Sequence, residues 1–582
     1  MIRWKYKHLL LYFKVPALGL ILFLANVLPG WTQSLLLYDT GIGSGIEKEQ
    51  FPDSLSREIF LQEILISLQL EGYPTAFVQS KTFSGDTLAV KFASGPPFEW
   101  IRLTKGNLEE RFAVNAGFLE EDYRRRPLNF GKLKEFFDKV LTEAQNTGYP
   151  FASIRLDSLR QEGRGIIGSM DFQYGPLITF DSLEVTGDSR SKPSYLSRLL
   201  RIIPETAFSQ AKVDRSMALL QKLPYVQLAG EPQLTFQNQA AKLHLPINDR
   251  PINTLDGIIG VFPNENKDNR LLVTGQFDLS LYNVSGRGRN YHLQWQRLSQ
   301  YSQSLTVSAE EPMILGSLID LKVSFNLLKE DTTFLNRDFR IDFGYRMSPQ
   351  IYLGFFSRRR SGDLLSVSTG SDPQFLPDVA DFRLNNYGLN LVWDGVDNRL
   401  LPREGWLSEF EVGVGNKKLL QNTGLPPSAY EGLDMNSIQY YLTYSLARYL
   451  IFSSGLGASL RVRAGEMANE NLFLNDLFRL GGLRSVRGFN ENFFFAKRYV
   501  YANFEPRFYF DKYSYFLLFF DVAGMQGNTT PEAVDYPISF GAGLSLETGE
   551  GAFNFIYALG KSSTQQLGFN FSKIHFGYTG RF

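Results

Sequence analysis

The sequence predicts a set of small α+β repeats followed by an all-β transmembrane antiparallel barrel of about sixteen strands. Two observations carry this prediction. Tyr73, Tyr149 and Tyr225 recur at equal intervals, since 149 − 73 = 76 and 225 − 149 = 76. From Pro251 to Phe582 the chain divides into runs of about 9 to 15 residues that alternate polar and apolar side chains, as barrel strands do.

Composition agrees with an exported membrane protein. The chain has 582 residues, too many for one compact core, so several domains are expected. Lys plus Arg and Asp plus Glu are both 60, so no global field favours nucleic acid or an acidic substrate. The aromatic content of 14% suits girdles at two membrane interfaces.

Residues 1–33 are predicted to form a signal peptide. Basic residues between Arg3 and Lys14 precede an apolar segment from Val15 to Leu28, and cleavage is expected near Gln33. The alternative is a retained membrane anchor, although the apolar segment is short for a bilayer span. Cysteine is absent, which excludes a lipidated N-terminus, a thiolate metal site and disulfides.

The repeated tyrosines lie within longer segments of similar sequence. Glu71–Ala76 reads EGYPTA and Thr147–Ala152 reads TGYPFA, while Leu223–Val226 reads LPYV and lacks the glycine. Gly95-Pro96 is echoed by Gly175-Pro176. Together these repeats predict three modules, at residues 34–97, 98–175 and 176–250.

The second module is predicted to contain a core-facing helix. Its apolar residues recur at helical spacing: Leu133, Phe136, Phe137, Val140, Leu141 and Ala144. A helix, a Gly-Tyr-Pro turn and two short strands ending in Gly-Pro resemble the polypeptide-transport-associated (POTRA) domain. That resemblance implies an open sheet edge able to accept an extended client strand. The alternative is that the modules are spacers.

Two arginine runs have a simpler interpretation. Arg124–Arg126 and Arg358–Arg360 could dock acidic partners or lipid headgroups. Such runs are more often solvated faces, which is the interpretation adopted for both.

Within the barrel region, residues 251–582, strand faces and connection lengths support the assignment. In Tyr499–Phe510 one face carries polar and tyrosine side chains and the other is apolar, and Ile574, Phe576 and Tyr578 share the outer face of the last strand. Short and long connections alternate, as in bacterial barrels. The predicted short turns are 282–286, 347–350, 511–514 and 548–551, and the long loops are 361–379, 416–435 and 465–495. A soluble sandwich or propeller would not expose a face this rich in Phe and Leu.

The longest of these loops contains Gly481–Phe489, GGLRSVRGF. Its Val486-Arg487-Gly488-Phe489 segment resembles the sixth-loop signature of the BamA/TamA outer-membrane insertase superfamily. The resemblance implies that loop 465–495 folds back into the barrel lumen. The alternative is that Arg487 is a solvated residue of an external loop.

Two further segments resemble the same superfamily. Trp393–Trp406 resembles its mid-barrel turn, with Asp394, Asp397, Pro402 and Gly405 in the matching positions. The end, GYTGRF, resembles the C-terminal β-signal, with Gly577 and Phe582 in register and Gly580 where an apolar residue is usual.

Strand arithmetic gives Arg487 two predicted partners. If the turn centres on Tyr513, Glu505 lies opposite Asp521, because 505 + 521 is twice 513. Opposed carboxylates repel, so a cation between them is expected, and a guanidinium bonds two acceptors at once. Asp521–Gly524 is one residue longer than the usual family pattern, so Glu505 could be the main partner.

The sequence contains no pattern that predicts catalysis, a cofactor or a metal site. His8 lies in the predicted signal peptide, and His244, His292 and His575 lack metal-ligand spacing. Gly560-Lys561-Ser562 lacks the first glycine of a phosphate loop and fits a hairpin turn. We therefore expect a protein that is not an enzyme and binds no nucleic acid.

The resemblance implies a protein of the cell outer membrane with its N-terminal domains in the periplasm. Modules would capture unfolded outer-membrane clients. The seam between the first and last strands, 252–262 and 567–582, would template their insertion into lipid, with Gly257, Gly260 and Phe582 at the seam.

Three modules favour the TamA branch, which implies a TamB-like inner-membrane-anchored partner; accessory lipoproteins are the other expected partners. The alternative within transport is the pore of two-partner secretion. A porin or surface receptor is the alternative of another class, although the N-terminal half would then be superfluous.

Overall fold

The structure is a computed structural model, which describes residues 34–40, 47–51, 53–85, 87–118, 124–127, 130–263, 271–297, 301–366, 376–527 and 534–582. The predicted signal peptide lies outside these residues. The chain divides into two compact units, Met1–Pro176 and Leu177–Phe582. Among the helices in the described ranges, none has the length and apolar character needed to cross a membrane.

The first unit contains two α+β modules of similar topology. The first module consists of β1 (Ser34–Asp39), β2 (Glu47–Phe51), α1 (Ser54–Leu70), β3 (Phe77–Ser84) and β4 (Thr87–Ala93). The second consists of β5 (Trp100–Thr104), α2 (Glu110–Asn115), β6 (Arg124–Pro127), α3 (Phe130–Asn146), β7 (Ser153–Glu162) and β8 (Gly165–Gln173). The sheet orders are β2-β1-β4-β3 and β6-β5-β8-β7, so β3 and β7 occupy equivalent edges.

A third module begins the second unit. Its elements are β9 (Thr179–Thr186), α4 (Pro193–Leu200), α5 (Gln210–Lys222), β10 (Val226–Leu228), β11 (Gln233–Gln237) and β12 (Ala240–Asp249). The last helices of the three modules end at Leu70, Asn146 and Lys222, which are 76 residues apart like the tyrosines. The tyrosine repeat therefore marks the turn after each of these helices.

A closed barrel follows the third module. Its strands are β13 (Thr254–Pro263), β14 (Leu271–Val284), β15 (Arg289–Arg297), β16 (Gln303–Glu311), β17 (Ile319–Glu330), β18 (Phe334–Arg346), β19 (Ile351–Leu364), β20 (Phe382–Asp394), β21 (Gly405–Leu419), β22 (Asn436–Ser453), β23 (Leu456–Ala468), β26 (Arg498–Tyr509), β27 (Tyr515–Gln526), β28 (Val534–Asp535), β29 (Ile538–Thr548), β30 (Gly551–Lys561) and β31 (Lys573–Arg581). Apart from the two-residue β28, these are sixteen antiparallel strands, which confirms the predicted count. A separate hairpin, β24 (Phe478–Leu480) with β25 (Phe494–Ala496), lies within the long connection between β23 and β26.

The predicted alternation of faces is present in the strands. In β26, Val500, Phe504 and Phe508 are exposed on the outside, whereas Asn503 and Glu505 are buried on the inside. The apolar outer face suits lipid, and the inner face provides polar groups for contacts within the lumen. The third module lies at the barrel end that carries the short turns, where Lys192 N donates to Gly286 O at 2.8 Å.

Candidate loop-anchoring site in the barrel lumen

The connection between β23 and β26, residues 469–497, is packed against inward-facing strand residues. Val486 and Phe489 are both 0% exposed. They share a hydrophobic cluster with Leu480, Phe494, Ala496, Tyr501, Ala523 and Met525. The loop is therefore anchored within the barrel by its own apolar residues as well as by the polar contacts that follow.

Arg487 lies at the centre of these contacts and is 2% exposed. Its Nε donates to Asp521 Oδ2 at 2.8 Å, its Nη2 to Asp521 Oδ1 at 2.5 Å, and its Nη1 to Glu505 Oε1 at 2.7 Å. The backbone N of Arg487 also donates to Asp521 Oδ2 at 3.1 Å. The guanidinium lies 3.8 Å from the ring centroid of Phe519. The structure thus brings together the three residues that the sequence paired.

Glu505 is shared among several donors. Its Oε2 accepts from Arg507 Nη2 at 2.9 Å and from Ser459 Oγ at 3.2 Å, and its Oε1 accepts from Arg461 Nη2 at 3.2 Å. Asp521 has fewer partners besides Arg487, namely Ser539 Oγ at 3.3 Å. Asp521 is therefore the carboxylate whose burial depends most on Arg487, because an unpaired buried charge is costly.

The predicted strand register was wrong by two residues. Asn503, not Glu505, lies opposite Asp521 in the β26–β27 ladder. The turn between these strands comprises residues 510–514, with Tyr509 opposite Tyr515, so it centres on residue 512 rather than 513. A shift of two residues preserves the face of every side chain, so both carboxylates still point inward.

Gly488 passes close to the wall of the barrel. Its φ of +83° lies in the left-handed region, and a Cβ there would be 2.8 Å from Gly560 N. Gln565 Nε2 donates to both Gly488 O and Gly560 O at 3.0 Å. At Gly560 a Cβ would lie 2.8 Å from the Phe489 ring. Glycine at both positions is therefore required by close packing of the loop on β30.

A second loop anchor was not predicted. Lys417 and Asp476 form an ion pair in which both side chains are 0% exposed, and Lys417 Nζ also donates to Asn471 O at 2.8 Å. Alternate residues of β21 from Gly413 to Leu419 face inward, and Lys417 is one of them. A lysine on the lumen face needs an acceptor, so its position was the sequence feature that could have indicated this anchor. Its partner lies 59 residues away in a loop, where sequence periodicity gives no register.

The interpretation of Arg358–Arg360 as a solvated face was wrong for two of its residues. Arg358 bonds Asp338 inside the barrel, and Arg360 donates to the carbonyls of Asp476 and Asn475 at 3.0 and 2.9 Å. Strand alternation places these two inward and leaves Arg359 exposed on the outer face. The side chains of Arg124–Arg126 lie outside the described residues.

The mid-barrel turn, residues 395–404, is stabilised by its own aspartate, Asp397. Asp397 Oδ1 accepts from the backbone N of Arg403 at 3.0 Å and of Glu404 at 3.1 Å. Gly405 has a φ of +111°, and a Cβ there would lie 2.2 Å from Gly395 O. Pro402 lies in the same turn, ahead of Gly405.

The third module packs against this end of the barrel. Asn283 Nδ2 donates to Ser191 Oγ at 2.9 Å, and both residues are buried. A Cβ at Gly288 would lie 2.1 Å from the hydroxyl of Tyr195, which is itself 2.5 Å from the hydroxyl of Tyr225. Burial raises the pKa of Tyr195 to about 12. Tyr225, the third repeat tyrosine, therefore supports the junction.

The seam between the first and last strands has little pairing. Among the described residues, β13 and β31 share two register pairs, Thr254 with Arg581 and Leu255 with Gly580, and Phe582 N donates to Asn253 O at 3.0 Å. On its other side β13 pairs with β14 through ten residues, including Gly257 and Gly260. Among the joins between the sixteen longer strands, the seam is thus the least paired in the described part of the chain.

In the described part of the chain, no group of three or more His, Cys, Asp or Glu residues could hold a metal ion. His244 contacts Thr235 and Glu184, and His292 contacts Ser280.

A family model, the Omp85 superfamily domain, matches residues 283–582. The chain is 22% identical over 442 residues to the outer membrane protein assembly factor BamA of Neisseria meningitidis serogroup B, covering 69% of this chain and 51% of that protein. The chain thus spans about half the length of this curated relative.

Two solved structures share the fold over most of the chain. CdiB from Escherichia coli gives a TM-score of 0.55 at 13% identity, covering 91% of this chain and 97% of that chain. CdiB from Acinetobacter baumannii gives 0.53 at 12% identity, covering 90% and 97%.

Proposed function

Because the chain belongs to the Omp85 superfamily, we propose that it inserts other outer-membrane proteins into the membrane. It is an outer-membrane barrel protein with N-terminal POTRA-like modules in the periplasm, related to BamA and CdiB. In the proposed mechanism the modules capture an unfolded client, and the seam between β13 and β31 templates the client's first strands. The mechanism requires no enzymatic reaction and no cofactor.

The observation that carries this proposal is the seam. Two register pairs join β13 to β31, against ten that join β13 to β14. Backbone groups left unpaired in hydrocarbon cost several kcal/mol each, so an edge at the seam favours addition of another strand. A client strand would satisfy those groups and, in the same step, bury its own lipid-facing side chains.

Client capture is proposed at the exposed edges of the first two modules. Within the described ranges, β3 and β7 each pair on one side only, and nearly all their side chains are exposed. Phe77, Phe83 and Leu159 on these strands are 57%, 63% and 55% exposed. An extended client can bond such an edge through its backbone, with apolar residues adding affinity and little sequence requirement. A TamB-like inner-membrane-anchored partner or accessory lipoproteins are further proposed partners.

A reversible seam lock tests the insertion mechanism. The chain contains no cysteine, so Leu255→Cys with Gly580→Cys would join the two register partners at the seam. We expect the oxidised variant to fold, as judged by heat-modifiable gel mobility, but to lose insertion of a client barrel into liposomes. Reduction should restore insertion.

A control lock on a fully paired join is Val307→Cys with Phe325→Cys, between β16 and β17, which should leave insertion intact. Full insertion by the oxidised seam variant would reject the proposal. The secretion-pore alternative predicts a different outcome, in which the locked barrel still exports a soluble client through its lumen.

A further inference from the structure

The outer face of the barrel changes from apolar to polar at the same height on the neighbouring strands β20 and β21. Below this level, towards the short turns, β20 exposes Tyr387, Leu389, Leu391 and Trp393, which are 42–53% exposed. The next outward residues on the same strand, Asn385 and Arg383, are polar and cationic. The same change occurs on β21, where Val412 and Val414 are followed by Asn416 and Lys418. It marks the upper edge of the apolar belt.

Beyond that edge, five consecutive strands, β17 to β21, each place a cation on the outer face. These residues, the outer cation cluster, are Lys329, Arg337, Arg359, Arg383 and Lys418. The ladder sets their spacing: Ser361 lies opposite both Arg337 and Arg383, and Arg383 lies opposite Lys418. Arg337, Arg383 and Lys418 therefore share one cross-strand row.

The cluster is only partly neutralised by the protein. Asp363 pairs with Arg337 and, at 3.0 Å, with Arg383. Within the described ranges, no carboxylate lies within ion-pair distance of Arg359 or Lys418, and both are exposed. Asp363 offsets the charge of Arg383 alone, and Lys418 lies directly opposite Arg383 in the ladder, where like charges destabilise a strand pair. An external anion would relieve that repulsion.

The height of the cluster matches a headgroup layer. Trp406 lies on the outer face of β21 at the short-turn end. Asn416 lies ten residues further along β21 than Trp406. At about 3.4 Å per residue and a strand tilt of about 40°, the two residues are separated by roughly 26 Å along the barrel axis. The apolar band of such barrels is about 25 Å tall. Arg359 and Arg383 thus lie at and just above the level where acyl chains end and headgroups begin.

A depression with polar walls adjoins the cluster. A cavity of about 1300 Å³ is lined by Arg383 and Lys418 and by asparagine side chains including Asn385, Asn416 and Asn436. Further cations, Lys497 and Arg498 among them, and the carboxylates of Asp434, Glu466 and Glu470 also line it. Amide groups donate and accept hydrogen bonds, which suits the hydroxyls of a sugar. Cations beside such a cavity fit a headgroup that carries both sugar and phosphate.

We propose that the outer cation cluster is a binding site for the phosphorylated sugar headgroup of an outer-leaflet glycolipid. Its acyl chains would lie on the apolar outer face of β18 to β21, and its phosphates would bond Arg359 and Lys418. The site would fix one lipid type against this side of the barrel, remote from the β13–β31 seam. It does not depend on the proposed insertase function.

The test measures binding of lipid A to the full chain in non-ionic detergent, by native mass spectrometry and titration. We expect the bis-phosphorylated form to bind and the dephosphorylated form with the same acyl chains to bind much more weakly. Inorganic phosphate at millimolar concentration should not displace the lipid. For Arg359→Gln with Lys418→Gln we expect a roughly 30-fold loss of affinity.

A matched control removes one arginine and one lysine at the other end of the barrel. The control variant is Arg448→Gln with Lys512→Gln. Arg448 lies over the ring of Trp406 and Lys512 over the ring of Tyr513, and the affinity for lipid A should be unchanged. Arg359→Lys with Lys418→Arg keeps both charges and should retain binding, which distinguishes lost charge from lost folding. Equal binding of both lipid forms, equal losses in the two double variants, or displacement by inorganic phosphate would overturn the proposal.

Discussion

The ammonium of Lys222, the last residue of α5, lies 3.1 Å from Oδ1 of Asp394 at the end of β20. Lys222 also donates to the carbonyl of Val396, and Arg399 Nη1 donates to Asp394 Oδ2 at 2.9 Å. The side chains of the pair are 16% and 14% exposed. Two separate features of the sequence, the 76-residue repeat and the mid-barrel turn, therefore meet in one ion pair.

Replacing Lys222 with Met should loosen this junction. Asp394 would remain largely buried, with Arg399 as its one remaining charged partner among the described residues. We therefore expect a loss of about 2 kcal/mol, at the low end for a broken buried pair. That loss corresponds to roughly thirtyfold faster local opening. Hydrogen exchange of the amides of Gly395 and Asp397, which bond across the turn, measures it.

Lys212→Met is the control on the same helix, because the side chain of Lys212 forms no ion pair with any residue that the structure describes. Exchange in the turn should be unchanged in this variant. Equal exchange rates in the Lys222 variant and the parent chain would show that the ion pair does not hold the junction.

Arg487→Ala should release the loop from the lumen. Within the described residues, the change leaves buried Asp521 with no charged partner and with only the Ser539 hydroxyl and the backbone N of residue 487 as donors. Removing one partner of such a buried pair typically costs about 3–5 kcal/mol. Arg487→Lys should restore part of this, because an ammonium keeps the charge but lacks the planar fork that spans both carboxylates. Labelling of a Val486→Cys reporter by a membrane-impermeant maleimide measures release, since Val486 is 0% exposed when docked.

The chain supplies a close control for this experiment. Arg484 lies three residues earlier in the same loop, is exposed, and forms no ion pair with a described residue. Arg484→Ala should therefore leave the reporter protected. If Arg487→Ala left it equally protected, the apolar cluster alone would hold the loop, and Arg487 would have no anchoring role.

The features predictable from the sequence are those fixed by local periodicity. Alternation of side chains assigns each strand face regardless of partner, so the outward Phe504 and inward Glu505 were identified from β26 alone. Repetition placed Tyr73, Tyr149 and Tyr225 after equivalent helices. The motif around Arg487 predicted that this arginine is buried and paired, because a charged residue among small and apolar neighbours needs a partner.

The features that the sequence did not predict are strand registers and contacts between segments that are distant in the chain. The β26–β27 register follows from turn geometry, and a turn centred on residue 512 instead of 513 moved Asp521 opposite Asn503. Lys417 and Asp476 meet only once the loop is folded inside the barrel. The cross-strand row of Arg383 and Lys418 likewise required the register of two strands separated by a long turn.

The third module is joined to the barrel more closely than its linker suggests. Ile252, between β12 and β13, is 7% exposed and belongs to the core cluster of the third module. Tyr282 and Met313, both from barrel segments, pack against the same cluster. Truncation at this linker would therefore remove the apolar core against which Ile252, Tyr282 and Met313 pack.

Two truncated chains should separate folding from client capture. A chain beginning at Leu177 keeps the third module and should show the heat-modifiable mobility and thermal midpoint of the full chain, yet lose client insertion because β3 and β7 are absent. A chain beginning at Arg250 should still close its barrel but unfold at lower temperature, since exposing Ile252 alone costs about 1.5–3 kcal/mol. Full insertion activity in the Leu177 chain would instead show that the first two modules are spacers.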